Sequence, residues 1–262
     1  MRDVQSEPDH RNMDIDKVGV KDIRYPVTVR DKAEGVQRTV ASINMYVNLP
    51  RHYKGTHMSR FVELLAEFTD TKHLDLHSFT DIMEEMKVRL DAESAHLEMS
   101  FPYFIKKRAP VSKAEGLMEY LCSFTGSING NEQPDRVVQV QVPVTTLCPC
   151  SREISSLGAH NQRGEVRVAV RYRSFFWIED LIAAVESCAS AEVFSVLKRD
   201  DEKAVTERAY HNPRFVEDVV REVALRLSAD PIFTWYAVEA ENFESIHNHS
   251  AYAYLERNRR RE

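Results

Sequence analysis

No stretch of the 262 residues approaches the roughly 20 apolar side chains that a helix needs to cross a bilayer. The opening residues are polar as well: Asp3, Gln5, Ser6, Glu7, Asp9 and His10 leave no apolar segment of the secretory-signal kind. The expectation is a cytoplasmic protein without membrane association. Cysteine is scarce. Four residues in a chain of this length are too few for a disulfide scaffold, and a reducing compartment disfavours structural disulfides, so each cysteine is read on its own. A Gly-rich dinucleotide fingerprint is absent. Extended basic patches are lacking too. A formal charge of −6 argues against general binding to polyanions, whose phosphates demand clustered Lys and Arg. The one concentrated basic run, Arg257 to Arg261, reads as a solvated tail, and no nucleic-acid partner is expected.

With 43% hydrophobic and 29% charged residues, the chain has the composition of an ordinary globular protein and can bury a core in one large domain or two small ones. Residues 1–19 read as a disordered lead-in, being polar and without a period. Beyond them a strand is expected over 23–30. The segment 39–49 alternates, with Ala41, Ile43, Met45, Val47 and Leu49 on one face. Two helices follow, on the spacing of Phe61, Leu64, Leu65 and Phe68 and then of Phe79, Ile82, Met83, Met86 and Leu90. Alternation returns at Ala95, Leu97, Met99 and Phe101 and again over 115–128.

Asn129, Gly130, Asn131 and Pro134 punctuate the join to a second half of the same order. Strands there carry Val138, Val140 and Val142, then Val166, Val168, Val170 and Tyr172. Helices carry Ile178, Leu181, Ile182 and Val185, then Val216, Val220, Val223 and Leu227, before strands near 231–241 and 250–256. The region 189–212 is open to helix or loop. The fold class is therefore α+β, in two similar modules over 20–130 and 131–262, each an antiparallel sheet with two helices on one face.

Cys148 and Cys150 flank Pro149 directly after a strand, and the proline is taken to exclude regular helix there. His160 follows twelve positions after Cys148, before the next strand. A hairpin joining those strands would bring thiol and imidazole together, a pairing suited to zinc and related metals. A metal-free Cys–His nucleophile pair and an unrelated loop Cys and surface His are the other readings. Cys122 and Cys188 sit on apolar stripes and read as core.

His247 and His249 flank Asn248 just past a strand. Strand geometry would aim both to one side, for proton transfer or ligation, while solvated loop histidines are the bland alternative. Glu202 lies in a charge run, and Glu217 stands four residues before Arg221 as for an i, i+4 ion pair. His57, Ser59 and Arg60 open the first helix, where backbone N–H groups and an arginine favour an anion, although simple capping would also explain the serine.

Three stretches together resemble the prokaryotic type IB GTP cyclohydrolases of the tunnelling-fold (T-fold) superfamily. They are Thr145–Ile154 running to His160–Gly164, Lys198–Glu207 with Asn212–Asp218, and Ser245–His249; Gly55–Phe61 agrees as well. The resemblance implies tandem T-fold modules, a homotetramer with active sites at subunit interfaces, and GTP as substrate. The implied reaction converts GTP and water into 7,8-dihydroneopterin triphosphate and formate, an entry to folate-type pterins and, in some organisms, to queuosine-type deazapurines. It implies Cys148, His160 and Glu202 as ligands of one divalent metal (Zn, Mn or Fe(II)) and Glu217 as the carboxylate that anchors the guanine-type ring. His247 and His249 match histidines near the reacting carbon, the division of ligand and acid/base roles staying open. His57, Ser59, Arg60 and Arg163 are offered as triphosphate contacts. Two rivals remain: a T-fold nitrile reductase with a cysteine nucleophile and NADPH as hydride source, and a catalytically silent metal- or pterin-binding protein.

Overall fold

The structure, a computed structural model, describes residues 5, 7–71, 78–130 and 132–259. In chain order the elements are β1 (Ile15–Asp31), β2 (Gly35–Leu49), α1 (Met58–Thr71), α2 (Ser78–Leu90), β3 (Ser94–Arg108), β4 (Glu115–Asn129), β5 (Asp135–Leu147) and α3 (Pro149–Ile154). Then come β6 (Asn161–Tyr172), α4 (Ile178–Glu186), β7 (Ala191–Glu192), α5 (Arg199–His211), α6 (Val216–Ala229), β8 (Phe233–Asn242) and β9 (Ala251–Asn258). β1 pairs antiparallel with β2, β2 with β3, β6 with β8 and β8 with β9. The expected α+β class with antiparallel sheet is what forms. No helix of the described residues is long and apolar enough to cross a membrane.

Two compact units divide the chain: Met1–Pro102 with Ser123–Val138, and Tyr103–Cys122 with Gln139–Glu262. This differs from a single cut near residue 130, because β3, β4 and β5 each contribute to both units. At 15, 15 and 13 residues these strands are far longer than the usual five or six.

In the first unit the alternating row of β2, Ala41 to Leu49, is buried together with Ala95, Leu97, Met99 and Phe101 of β3. Phe61, Leu64 and Leu65 of α1 and Phe79, Ile82, Met83, Met86 and Leu90 of α2 close over the core. Phe124 meets Phe79 and Phe101 edge-on, at centroid distances of 5.7 and 5.4 Å. The disordered lead-in expected through residue 19 needs correction, since β1 already begins at Ile15. Further out, the carbonyls of Gln5 and Glu7 accept hydrogen bonds from the N–H groups of Gly55 and Lys54 at 3.1 and 3.0 Å. Polar side chains hid this pairing, which is carried by the backbone.

The second unit buries Val140, Val142 and Val144 of β5 and Val166, Val168 and Val170 of β6. Against them lie Ile178, Leu181, Ile182 and Val185 of α4 and Val216, Val220, Val223 and Leu227 of α6. Cys122 and Cys188 are core residues as read, both at most 1% exposed. The open region 189–212 resolves into β7 followed by α5. A second correction concerns Pro149, which starts helix α3 instead of excluding one. Proline is tolerated at the first helical position, where its missing N–H would have had no intrahelical partner.

This unit also contains a polar core that periodicity does not reveal. The Lys107 ammonium lies 2.8 Å from Glu186 and 2.7 Å from Glu192, and the Tyr120 hydroxyl donates to Glu186 at 2.6 Å. Buried charges survive only when paired in this way.

Gly19 shows how tightly β1 is fitted. A Cβ there would lie 1.9 Å from the Met45 carbonyl oxygen on β2. Gly19→Ala is expected to force β1 off its partner and to cost about 1–3 kcal/mol, the range for overpacking. Urea unfolding of the variant checks this; an unchanged midpoint would contradict the register.

Candidate active site

β5 ends at Leu147, and both backbone groups of that residue are held from outside the strand. Its N–H donates to the buried Ser190 hydroxyl at 3.0 Å, and its carbonyl accepts from the Arg214 N–H at 3.0 Å. Asn212 secures the same corner, its amide donating to the Ala189 carbonyl at 2.9 Å and its oxygen accepting from Arg214 Nε at 3.1 Å. Leu147, Ala191 and Ala209 form a small buried cluster, joined by Ala159, Val205 and Tyr210.

Cys148 comes next and caps α3, its sulfur accepting from the Ser151 N–H at 3.4 Å. The Cys148 N–H donates to the His160 carbonyl at 3.1 Å. Ser151 adds a second tie: its hydroxyl donates to the Cys148 carbonyl at 3.3 Å and accepts from the His160 N–H at 3.1 Å. The hairpin expected from the spacing therefore exists, with the backbones of Cys148 and His160 hydrogen-bonded across it.

Both residues are partly buried. The Nδ1 atom of His160 lies 3.0 Å from Gln162 Oε1, 3.5 Å from Ser245 Oγ and 4.0 Å from Glu244 Oε2. The Phe243 N–H donates to the Arg163 carbonyl at 2.9 Å, so the segment leading to His247 and His249 starts beside β6. Those two rings stack at 5.2 Å with 19° between their planes. They share a side, as expected, but through a run of bends and not through strand alternation.

Glu217 stands exposed in the first turn of α6. The ion pair expected between it and Arg221 is replaced by one between Arg221 and Asp218 at 3.8 Å. Arg163 is exposed on β6. His57, Ser59 and Arg60 belong to the first unit. There His57 and Arg60 line a cleft of about 140 Å³ with Thr56, Tyr53, Leu90 and Asp91, and the Arg60 guanidinium donates to the Arg89 carbonyl at 3.1 Å.

Comparison with known proteins bears on what this arrangement does. The family model of the type I GTP cyclohydrolase FolE2 matches residues 1–253. The GTP cyclohydrolase FolE2 of Syntrophobacter fumaroxidans is 61% identical over 259 residues, covering 99% of this chain and all of that protein. That of Geobacter sulfurreducens is 58% identical over 261 residues and covers both chains entirely. The chain belongs to the FolE2 family of type I GTP cyclohydrolases. Among solved structures, the uricase of Arthrobacter globiformis aligns with a TM-score of 0.55 at 10% identity, covering 94% of each chain. A urate oxidase mutant of Bacillus sp. TB-90 aligns at 0.52 and 8% identity, covering 93% of this chain and all of that one. These likenesses concern the fold, a T-fold arrangement of antiparallel sheet and helices.

In this FolE2 chain the expected metal triad is not assembled. Among the described residues no group of three or more His, Cys, Asp and Glu side chains is placed to hold a metal ion. Cys148 and His160 are neighbours, whereas Glu202 is exposed on the first turn of α5. It precedes Val205 and Ala209 by three and seven positions, which puts it on the helix stripe that packs beside Leu147 and Ala159. The donor types, a thiol, an imidazole and a carboxylate, still suit a divalent ion.

The acid beside Glu202 explains how α5 is anchored. Asp201 is fully buried and accepts from the N–H groups of Val111 and Ser112 at 2.8 Å each, from the Ser112 hydroxyl at 2.5 Å and from the Lys198 N–H at 2.8 Å. The β3–β4 turn is thereby fastened to the helix that carries Glu202. Burial pushes the Asp201 carboxyl up, but the hydrogen bonds led by Ser112 outweigh it and hold the group well below its usual value of 3.8. A lowered folded pKa means the contribution is complete above about pH 4 and drains away as pH falls further. Asp201→Asn should therefore lower stability at pH 7 and flatten the acid limb of the stability curve. Denaturant melts between pH 3 and pH 7 check this; parallel curves for the two proteins would contradict it.

Proposed function

We propose that this chain hydrolyses GTP at C8, releasing formate and forming 7,8-dihydroneopterin triphosphate, the first step of folate-type pterin synthesis. The narrower assignment is the prokaryotic type IB enzyme that its motifs resemble. In a chain that belongs to the FolE2 family, the observation that carries this reading is the backbone hydrogen bond that sets Cys148 beside His160 at the end of β5. The nitrile reductase alternative has no comparable support in the family membership.

Cys148, His160 and Glu202 are the proposed ligands of one divalent metal, with Glu202 reaching in from its stripe on α5. Zinc, manganese and Fe(II) all suit a sulfur, nitrogen and oxygen donor set. When bound, such an ion supplies the Lewis acidity that makes water a nucleophile near neutral pH. The protein's own side chains do the rest. Glu217 accepts from N1–H and the exocyclic amine of the guanine ring, a bidentate charge-assisted pair that fixes C8 in place. One of His160, His247 and His249 gives a proton to the ring nitrogen as the imidazole ring opens. His57, Ser59, Arg60 and Arg163 are assigned to the triphosphate.

A homotetramer with interfacial active sites completes the proposal. β1 and β9 stand at the two ends of the strand order, and an edge strand offers unpaired backbone groups to a further copy. Tyr252 and Tyr254 are exposed on β9.

The direct test is to incubate metal-loaded protein with GTP and follow formate and pterin fluorescence. One formate per pterin is expected; metal or pterin binding without formate would favour the silent binding protein. Cys148→Ala should lose bound metal and activity together, and continued formate release would overturn the assignment. Glu217→Gln should keep its metal but bind GTP about 10-fold or more weakly, the size of one lost charge-assisted hydrogen bond. An unchanged GTP affinity would remove Glu217 from the site.

A further inference from the structure

We infer that Gln162 is a positioning residue that selects the tautomer of His160 and so keeps the ring's Nε2 lone pair available to a metal. The inference deepens the proposed ligand role of His160 and rests on it. Gln162 occupies the inward register of β6, in line with Gly164, Val166 and Val168, and is 7% exposed. A primary amide in an apolar row is costly unless both its ends are satisfied.

Both ends are. The Gln162 Nε2 amine donates to the hydroxyl of Thr146 at 2.8 Å, and Thr146 on β5 is fully buried. With the amine so engaged, the end of the amide facing the imidazole is the carbonyl oxygen, 3.0 Å from His160 Nδ1. A carbonyl oxygen can only accept. In this arrangement the ring presents a proton at Nδ1, which in a neutral imidazole leaves the lone pair on Nε2.

Of the other groups near Nδ1, the Glu244 carboxylate favours a proton there from 4.0 Å away, and the Ser245 hydroxyl at 3.5 Å suits either tautomer. Thr146, Gln162 and His160 thus form a chain in which a hydroxyl orients an amide and the amide orients a ring. Thr146 stands two residues before Cys148, so the strand that delivers the thiol also sets the imidazole.

The test uses the full-length protein and zinc as probe, with two variants. Gln162→Met keeps length and removes both hydrogen-bonding ends. Gln162→Glu keeps an acceptor against Nδ1, while the Thr146 hydroxyl, which can donate as well as accept, turns to donate to the carboxylate. Zinc affinity is read by competition with a chromophoric chelator. The His160 tautomer is read from long-range nitrogen–proton NMR correlations on histidine-labelled, metal-free protein.

The native protein should show the Nδ1–H form. Gln162→Met should show a mixture of tautomers and bind zinc roughly 10–100-fold more weakly, the usual loss when an outer partner of a metal-binding histidine is removed. Gln162→Glu should restore both the tautomer and most of the affinity. A methionine variant with native tautomer and affinity would overturn the inference, and so would a glutamate variant as weak as the methionine one. Neither readout uses GTP. Failure of the native protein to release formate would therefore count against the catalytic reading and leave this result standing.

Discussion

The site depends on one constraint: the chain leaving β5 cannot move. Three successive backbone groups at Leu147 and Cys148 are claimed by Ser190, Arg214 and His160. Those partners come from three separate stretches of sequence, which therefore converge on the thiol. Preorganisation of this kind matters because a hydrolytic site built on loops loses rate steeply when a reacting group drifts by an ångström. Fixing the backbone also spares the entropy of ordering it whenever substrate or metal arrives.

The constraint extends outward through polar contacts buried in the second unit. Lys107 on β3 grips Glu186 at the end of α4 and Glu192 on β7. Burial pushes the Glu186 carboxyl up and the Lys107 charge pulls it part of the way back, so the pair must stay intact to remain ionised. Ser190 lies between those two glutamates, and it is Ser190 that holds Leu147. Lys107 thus holds both flanks of the short segment from which Ser190 reaches Leu147. Asp201 works in parallel, fastening α5 and therefore the position of Glu202.

Much of the fold was legible because hydrophobic periodicity reports burial directly. The rows of β2, β3, β5 and β6 and the stripes of α1, α2, α4 and α6 were all visible as apolar spacing. What escaped is what periodicity does not encode. The start of β1 is polar and pairs through its backbone, and α3 begins on a proline that its position makes harmless. β3, β4 and β5 run through two units because of their length, which no local pattern records. Within the site, Cys148 and His160 were readable as a hairpin pair. Ser151, Ser190 and Asn212 were not, since each acts by reaching a distant backbone group. Gln162 and Thr146 did leave a trace: polar residues in apolar registers of β6 and β5. The stripe position of Glu202 could be followed only once α5 was known to be helical.

The central claim is that a sulfur from one side of this hairpin and an imidazole from the other share one cation. X-ray absorption of the zinc-loaded protein tests it most directly. A single sulfur neighbour is expected at about 2.3 Å, with the remaining shell made of nitrogen and oxygen at about 2.0–2.1 Å. A shell without sulfur, or one with two sulfurs, would contradict it.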